Sequence, residues 1–103
     1  MSGEHPTKQW PKSDVYWPKT LKEAVDFLYD MLPDSDLVDI AHKSGGGLYQ
    51  LHHGLGADIR NNFGLLAGNT SLRKSCYESH PDSCSMVIIR ALRDKARAEG
   101  YGK

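Results

Sequence analysis

Leucine, valine and alanine recur at helical spacing after Thr20 and define the first helix of the chain. Thr20 and Glu23 have the spacing of a capping box, in which the threonine hydroxyl accepts from the Glu23 amide and the glutamate reaches back. The apolar positions that follow share one helical face: Leu21, Ala24, Val25, Leu28 and Leu32. Pro33 ends this helix, because proline cannot continue the backbone hydrogen-bond ladder.

A second, shorter helical pattern follows directly. Asp34 or Ser35 is a candidate cap for it, since short polar side chains accept from free amides at a helix start. Its apolar positions are Leu37, Val38, Ile40 and Ala41. The glycine-rich run 43–47 then predicts a loop.

The third predicted helix carries the longest apolar stripe. The members of this stripe are Leu48, Leu51, Leu55, Ile59 and Phe63. Gly64 stands where helices commonly end on a residue with left-handed backbone. We therefore expect one continuous helix over residues 48–63.

Two further helices complete the pattern. Asn69 is a suitable cap for a short fourth helix with Leu72 facing inward, and Pro81 suits the first turn of a last helix that ends at Gly100. The apolar face of the last helix consists of Met86, Ile88, Ile89, Leu92 and Ala96. No run alternates with the period of two that strands require. The sequence therefore predicts an all-α fold, a single compact domain of four to five short helices.

An aromatic segment precedes the helices. Prolines interrupt any helix in this segment, while Trp10, Tyr16 and Trp17 supply large apolar side chains. We predict an extended, partly flexible N-terminal arm over 1–17 and a helical domain over 18–100. The aromatic rings either pack onto the helical body or form a stacking surface for a ligand or partner.

Length and composition restrict the class of protein. The chain has 103 residues, 39% hydrophobic and 25% charged, which supports one globular domain and argues against wholesale disorder. No apolar run approaches the roughly 20 residues of a membrane-spanning helix, and the polar start carries no secretory pattern. We therefore expect a cytoplasmic protein, in which Cys76 and Cys84 are reduced thiols. Their spacing also differs from that of zinc ligands.

Charge is balanced overall but uneven along the chain. The totals are 13 basic and 13 acidic side chains, which argues against a nucleic-acid binder. Residues 21–47 hold 2 basic and 6 acidic side chains, a net −4, and residues 48–103 hold 8 and 5, a net +3. Either the two parts attract each other within the fold, or the acidic part faces a basic partner and the last helix faces an anion. The basic residues of that helix are Arg90, Arg93, Lys95 and Arg97.

The third predicted helix is also rich in polar residues. On a continuous helix, His53 lies on the same face as Arg60. Glycines inside this helix cost about 1 kcal/mol each in helix propensity, which indicates close approach by another helix or a ligand. Arg60 and Asn61 either complement the negative helix end or form a fork for a phosphate or carboxylate. A partly buried Arg60 needs an acid, for which Asp82 is the candidate.

Catalytic and metal chemistry have weaker support. Cys84 with His80, and Ser85 with His52, have the chemistry of a nucleophile and a base, but nothing in their spacing demands either pair. The histidines make a poor metal site, because His52 and His53 point about 100° apart on a helix. We assign no catalytic residue, no metal and no cofactor.

One group of motifs is specific enough to suggest a family. The motifs are PKTLKEA at 18–24, LHHGLGADIRNNFGL at 51–65, GN at 68–69 and HPDSCS at 80–85. Together they resemble a family of small uncharacterised bacterial and phage proteins, a domain of unknown function, over about residues 18–97. The resemblance implies a signature polar set: His52, Arg60, Asn61, His80 and Asp82. In that family an aromatic often replaces His53, which makes a shared role for His53 weaker.

The combined pattern favours a small non-enzymatic binding protein. We expect the polar set to line one pocket that holds an anionic, nucleotide-like small molecule or the acidic group of a partner protein. Secondary candidates are His53, Trp10 and Trp17. Small size fits a phage- or mobile-element-encoded inhibitor or sequestering protein, and a homo-oligomer is compatible with the sequence. The alternatives are a compact hydrolase with a histidine base and a structural adaptor whose polar set is a buried network.

Overall fold

The structure, a computed structural model, describes residues 9–77 and 80–102. Its α-helices are α1 (Leu21–Met31), α2 (Asp34–Ala41), α3 (Gly45–Tyr49), α4 (Leu55–Asn62), α5 (Thr70–Ser75) and α6 (Pro81–Ala98). Two short 3₁₀ turns are formed by Asp14–Tyr16 and Gln50–His52. The described residues contain no strand, so the prediction of an all-α fold is confirmed.

α6 is the central element of the fold, and α1, α2 and α4 pack against it. The inward face of α6 includes every position that the sequence predicted: Met86, Ile88, Ile89, Leu92 and Ala96. Leu28, Ile59 and Phe63 reach the same core from the neighbouring helices and are fully buried. Burial of this apolar surface fixes the direction of α6, and with it the side chains that its first turn presents.

Two helix starts follow the predicted capping chemistry. The Thr20 hydroxyl accepts from the Glu23 amide at 3.1 Å at the start of α1, and the Asn69 side chain accepts from the Leu72 amide at 3.3 Å at the start of α5. The Glu23 carboxylate accepts from the Lys19 amide at 2.8 Å, one residue before the position that a capping box expects.

The predicted cap of α2 is wrong. Pro33 occupies the cap position and makes no side-chain hydrogen bond there, and Asp34 is already the first helical residue. The carbonyl of Pro33 still accepts from the amides of Asp36 and Leu37, at 3.0 and 3.2 Å. Proline fits this position because its extended backbone turns directly into the helix.

The third predicted helix is broken in two. α3 begins at Gly45, inside the run predicted as a loop, because burial of Leu48 outweighs the low helix propensity of glycine. The chain then passes through a 3₁₀ turn and bends at Gly54, which has φ −97° and ψ −94°. His53 therefore does not share a helical face with Arg60, and the prediction of a continuous helix over 48–63 is wrong.

The described part of the arm, from residue 9 onwards, packs onto the helical body. The Trp10 ring meets Phe63 edge-on, with 5.5 Å between ring centroids. Gly64 has the predicted left-handed backbone, with φ +74°, and a Cβ there would overlap the Trp17 ring. Trp17 is thus held by a close approach that only glycine permits.

The basic last helix faces the acidic part of the chain. Arg97 donates from Nε to the Ala41 carbonyl at 2.7 Å and from Nη2 to the Lys43 carbonyl at 2.9 Å, which satisfies carbonyls at the end of α2. The Lys95 ammonium lies 3.7 Å from an Asp26 carboxylate oxygen. These contacts support the interpretation that the two parts attract each other within the fold.

Cys76 and Cys84 form a disulfide bond between the end of α5 and the first turn of α6. The expectation of two reduced thiols is therefore wrong for this structure. Their Cα atoms are 5.4 Å apart, within the range that a disulfide bond spans. No helix in the described ranges is long and apolar enough to cross a bilayer.

Candidate binding site around Arg60

Arg60 is the centre of a polar network between α4 and α6. Its side chain is only 11% exposed, and each of its three nitrogens has a different partner. Nη1 donates to the Ser85 hydroxyl at 3.1 Å, Nη2 donates to the His52 carbonyl at 3.2 Å, and Nε lies 3.3 Å from the Asp82 carboxylate. The predicted Arg60–Asp82 pair is present, and the guanidinium also satisfies a carbonyl freed by the helix break.

His52 is the third residue of the network, and its ring contacts both Arg60 and Asp82. Its Nδ1 lies 3.4 Å from Arg60 Nη1, and its Nε2 lies 3.7 Å from the Asp82 carboxylate. Arginine only donates, so the Nδ1 atom that faces it is the acceptor. In the neutral ring this places the proton on Nε2, on the side of the Asp82 carboxylate.

Gly56 and Ser85 supply the space and the hydrogen bonds that the guanidinium needs. A Cβ at Gly56 would lie 3.2 Å from Arg60 Nη1, so the absent side chain leaves room for the arginine. Ser85 is fully buried, and its hydroxyl donates to the Asp82 carbonyl at 2.8 Å while it accepts from Arg60. Gly56 thus leaves room for the side chain of Arg60, which lies in the same helix.

The charge of Arg60 is compensated inside the protein. Asp82 is 64% exposed and holds its carboxylate between Arg60 and solvent. An external anion would have to displace this carboxylate to reach the guanidinium. Arg60 therefore acts on the surface through the side chains that it positions.

A shallow depression of about 310 Å³ lies over this network. It is lined by Tyr49, His52, Asp82, Ser83, Met86 and Arg90. The Tyr49 ring stacks on the His52 ring with 5.6 Å between centroids and 1° between planes, and Tyr49 is 65% exposed. The depression thus offers an aromatic face with an arginine and a carboxylate beside it.

The structure brings together three of the five residues in the predicted polar set. His52, Arg60 and Asp82 meet as described above. Asn61 and His80 are exposed, on α4 and at the start of α6. Within residues 9–77 and 80–102, no hydrogen bond or ion pair joins either of these two side chains to the network.

The secondary candidates lie at two different places. His53 is exposed and meets the His52 ring edge-on, with 5.0 Å between centroids. Trp10 and Trp17 belong to the packed arm, against Phe63 and Gly64. Neither tryptophan lines the depression over Arg60.

The two nominal nucleophiles have other partners. Cys84 is bonded to Cys76, and the buried Ser85 hydroxyl donates to a backbone carbonyl. The described residues contain no group of three or more histidine, cysteine, aspartate or glutamate side chains that could hold a metal ion.

Sequence reasoning missed Tyr49 and Met86 and did not place Arg90 at this site. Asp82, Met86 and Arg90 are spaced four residues apart, so they share one face of α6. The sequence alone therefore could have predicted that these three residues lie together. It could not have predicted the place of Tyr49, because the position of this ring over His52 depends on the break between α3 and α4.

Comparison with known proteins gives a family and no activity. No curated protein matches the chain, and no solved structure does. A family model described as a domain of unknown function, DUF6794, matches residues 17–95, which include every helix start and the whole Arg60 network. This chain therefore belongs to the DUF6794 family.

Proposed function

We propose that this protein is a non-enzymatic binding protein that recognises a partner protein through the depression over Arg60. The observation that carries this proposal is the exposed Tyr49 ring, stacked on an imidazole that contacts the buried arginine. Tyrosine, methionine and arginine are enriched in protein interfaces, where rigid aromatic side chains lose little conformational entropy on binding. The depression exposes Tyr49 and Arg90, and Met86, which is 7% exposed, also lines it.

Two charges at the depression define the partner's chemistry. Arg90 is exposed and can meet a carboxylate, while the outer face of Asp82 can accept from a donor. A partner surface with an acidic side chain and a neighbouring hydrogen-bond donor satisfies both groups. A nucleotide-like polyanion suits the site less well, because it would lie against the Asp82 carboxylate.

In this proposal Arg60 is a positioning residue. It holds His52 through two contacts and Asp82 through a third, and so fixes one wall of the depression. Burial of the guanidinium also supports the alternative that the polar set serves only to fix the helices. Partner binding and a purely structural role differ in what they require of Tyr49 and Arg90. Binding needs both side chains, whereas the buried network needs neither.

The biological setting is part of the same proposal. A small protein that acts by covering a partner's surface fits an inhibitor or sequestering protein of bacterial or phage origin. We place it in the cytoplasm. Fractionation of host cells tests this placement: we expect the protein to be recovered with cytoplasmic marker proteins, and recovery with exported proteins would contradict it.

Affinity capture from host lysate with matched variants tests the binding function. Tyr49→Ser removes the stacked ring, and Tyr16→Ser is the control, because the two tyrosines are 65% and 68% exposed. We expect Tyr49→Ser and Arg90→Glu to lose a partner protein that wild type and Tyr16→Ser retain. When that partner is purified, its affinity for each of the two variants should be at least tenfold lower than for wild type.

Two results would contradict the proposal. The first is that all three variants capture the same proteins as wild type. The second is that native mass spectrometry of the host-purified protein shows a bound nucleotide instead of a protein partner.

A further inference from the structure

We propose a second binding surface, the acidic groove, which takes an apolar, positively charged segment of a partner protein. The acidic groove is a cleft of about 380 Å³ beside α2 and α4. Its floor is apolar and consists of Trp10, Met31, Leu32, Ile40, Leu51 and Leu55. Its acidic side chains are Asp36, Asp39 and Asp58. None of these described residues lines the depression over Arg60.

The floor of the acidic groove is a part of the core that the chain leaves uncovered. Leu51 and Leu55 pack against the buried cluster yet remain partly exposed, as do Met31 and Leu32. The arm contributes Trp10, whose ring is held edge-on against Phe63. The volume is at the low end for a ligand site, which suits one or two apolar side chains of a partner.

Among the described residues, two of the three acids at the rim of the groove have no ion-pair partner, and the third, Asp39, has one. Asp39 is 67% exposed, and its carboxylate lies 3.6 Å from Lys43 Nζ. Across the described ranges, no ion pair involves Asp36 or Asp58. Residues 21–47, which include the first two of these acids, carry a net charge of −4.

Charge complementarity selects the occupant. Three carboxylates around an apolar floor repel anions, while lysine or arginine beside an apolar side chain matches both features. A second copy of this chain fits less well, because three of the four basic side chains of its last helix, those of Arg93, Lys95 and Arg97, already have partners within the fold. Arg97 bonds to carbonyls at the end of α2, and Lys95 lies near Asp26. The geometry therefore favours a basic segment of another protein.

A pair of synthetic peptides tests this assignment. The probe is a labelled amphipathic helix of leucine and lysine, and its sibling carries glutamate in place of every lysine. We expect the lysine peptide to bind and the glutamate peptide not to bind. The double variant Asp36→Asn/Asp58→Asn should bind the lysine peptide about tenfold more weakly, because each of the two rim charges contributes part of the affinity. The control is Asp14→Asn/Glu99→Gln, which neutralises two exposed acids elsewhere and should bind as wild type does.

The outcomes separate this surface from the depression over Arg60. Arg90→Glu, which tests the proposed function, should leave binding of the lysine peptide intact, and the Trp10 indole resonance should shift on titration. Equal binding by both double variants, or no shift at Trp10, would overturn the assignment. A concentration-dependent dimer that the Asp36/Asp58 double variant loses would overturn it as well, by assigning the groove to a second copy.

Discussion

Gly56 and Arg60 lie one helical turn apart in α4, and the Arg60 guanidinium occupies the space beside Gly56 where a side chain would lie. A Cβ at Gly56 would be 3.2 Å from Arg60 Nη1 and 3.2 Å from the Leu51 carbonyl oxygen. The first contact involves a guanidinium fixed by three partners, and the second involves backbone. Neither atom can move away without loss of hydrogen bonds.

This relationship predicts the sign of a glycine-to-alanine change. In an open helix the change stabilises by about 0.5–1 kcal/mol, which we expect for Gly46→Ala, where a Cβ meets open space. At Gly56 the crowded contacts outweigh that gain, so Gly56→Ala should lower the free energy of unfolding. Urea denaturation of both variants measures the difference. An increase in stability for Gly56→Ala would show that the network is looser than its geometry implies.

Arg60→Lys should destabilise the protein although it keeps the positive charge. A single ammonium cannot reach Ser85, the His52 carbonyl and Asp82 together, so at least two contacts are lost. At roughly 1 kcal/mol for each contact, the expected loss is about 2 kcal/mol in the free energy of unfolding. Arg90→Lys, on the exposed rim, should stay within about 0.5 kcal/mol of wild type. Equal stability of the two variants would remove Arg60 from its positioning role.

Reduction of the Cys76–Cys84 disulfide should lower stability by about 2.5 kcal/mol, because the bond closes a short loop in the unfolded chain. Thermal unfolding with and without dithiothreitol measures this effect. A Cys76→Ala/Cys84→Ala variant is the control and should melt at one temperature in both buffers. If wild type is equally insensitive to the reductant, the bond does not contribute to the folded state in solution.

Tyr101 gives the protein a defined alkaline transition. Its hydroxyl donates to the Asp34 carboxylate at 2.9 Å, and this hydrogen bond raises the pKa of Tyr101 from 10.0 to about 12. The folded state therefore favours the neutral phenol. The resulting stability is present below pH 10 and is lost as the pH rises toward 12.

Phenolate absorbance measures this transition directly. Wild type should show one tyrosine that titrates near pH 12, and Tyr101→Phe should lack it. Tyr16→Phe, at an exposed position without that hydrogen bond, should keep the late titration. If the titration near pH 12 persisted in Tyr101→Phe, another tyrosine would be responsible for it.

Local chemistry explains why much of the fold was predictable. The caps at Thr20 and Asn69 and the left-handed Gly64 depend on neighbours a few residues away, so their patterns are complete within the sequence. The buried face of α6 follows from helical periodicity alone. The prediction failed where long-range burial competed with propensity, as at Gly45, which begins a helix because Leu48 reaches the core.

The candidate site divides in the same way. Arg60 and its acid were predictable, since a guanidinium that is withdrawn from solvent needs a carboxylate and Asp82 lies in the first turn of the last helix. His52 was already in the predicted polar set, but helical periodicity placed His53 beside Arg60. The helix break brings His52 there instead, because it turns the chain by an amount that no local pattern specified. The exposed Tyr49 ring came into the site through the same bend.

The sequence by itself determined where α1, α5 and α6 begin, which face of the last helix is buried and which residues carry polar chemistry, because these depend on backbone hydrogen bonds and periodicity within each segment. Only the tertiary structure decided which polar residues meet, whether the two cysteines bond and which apolar residues stay uncovered in the acidic groove. Those outcomes depend on the angles between helices, which are set when all apolar faces compete for one core.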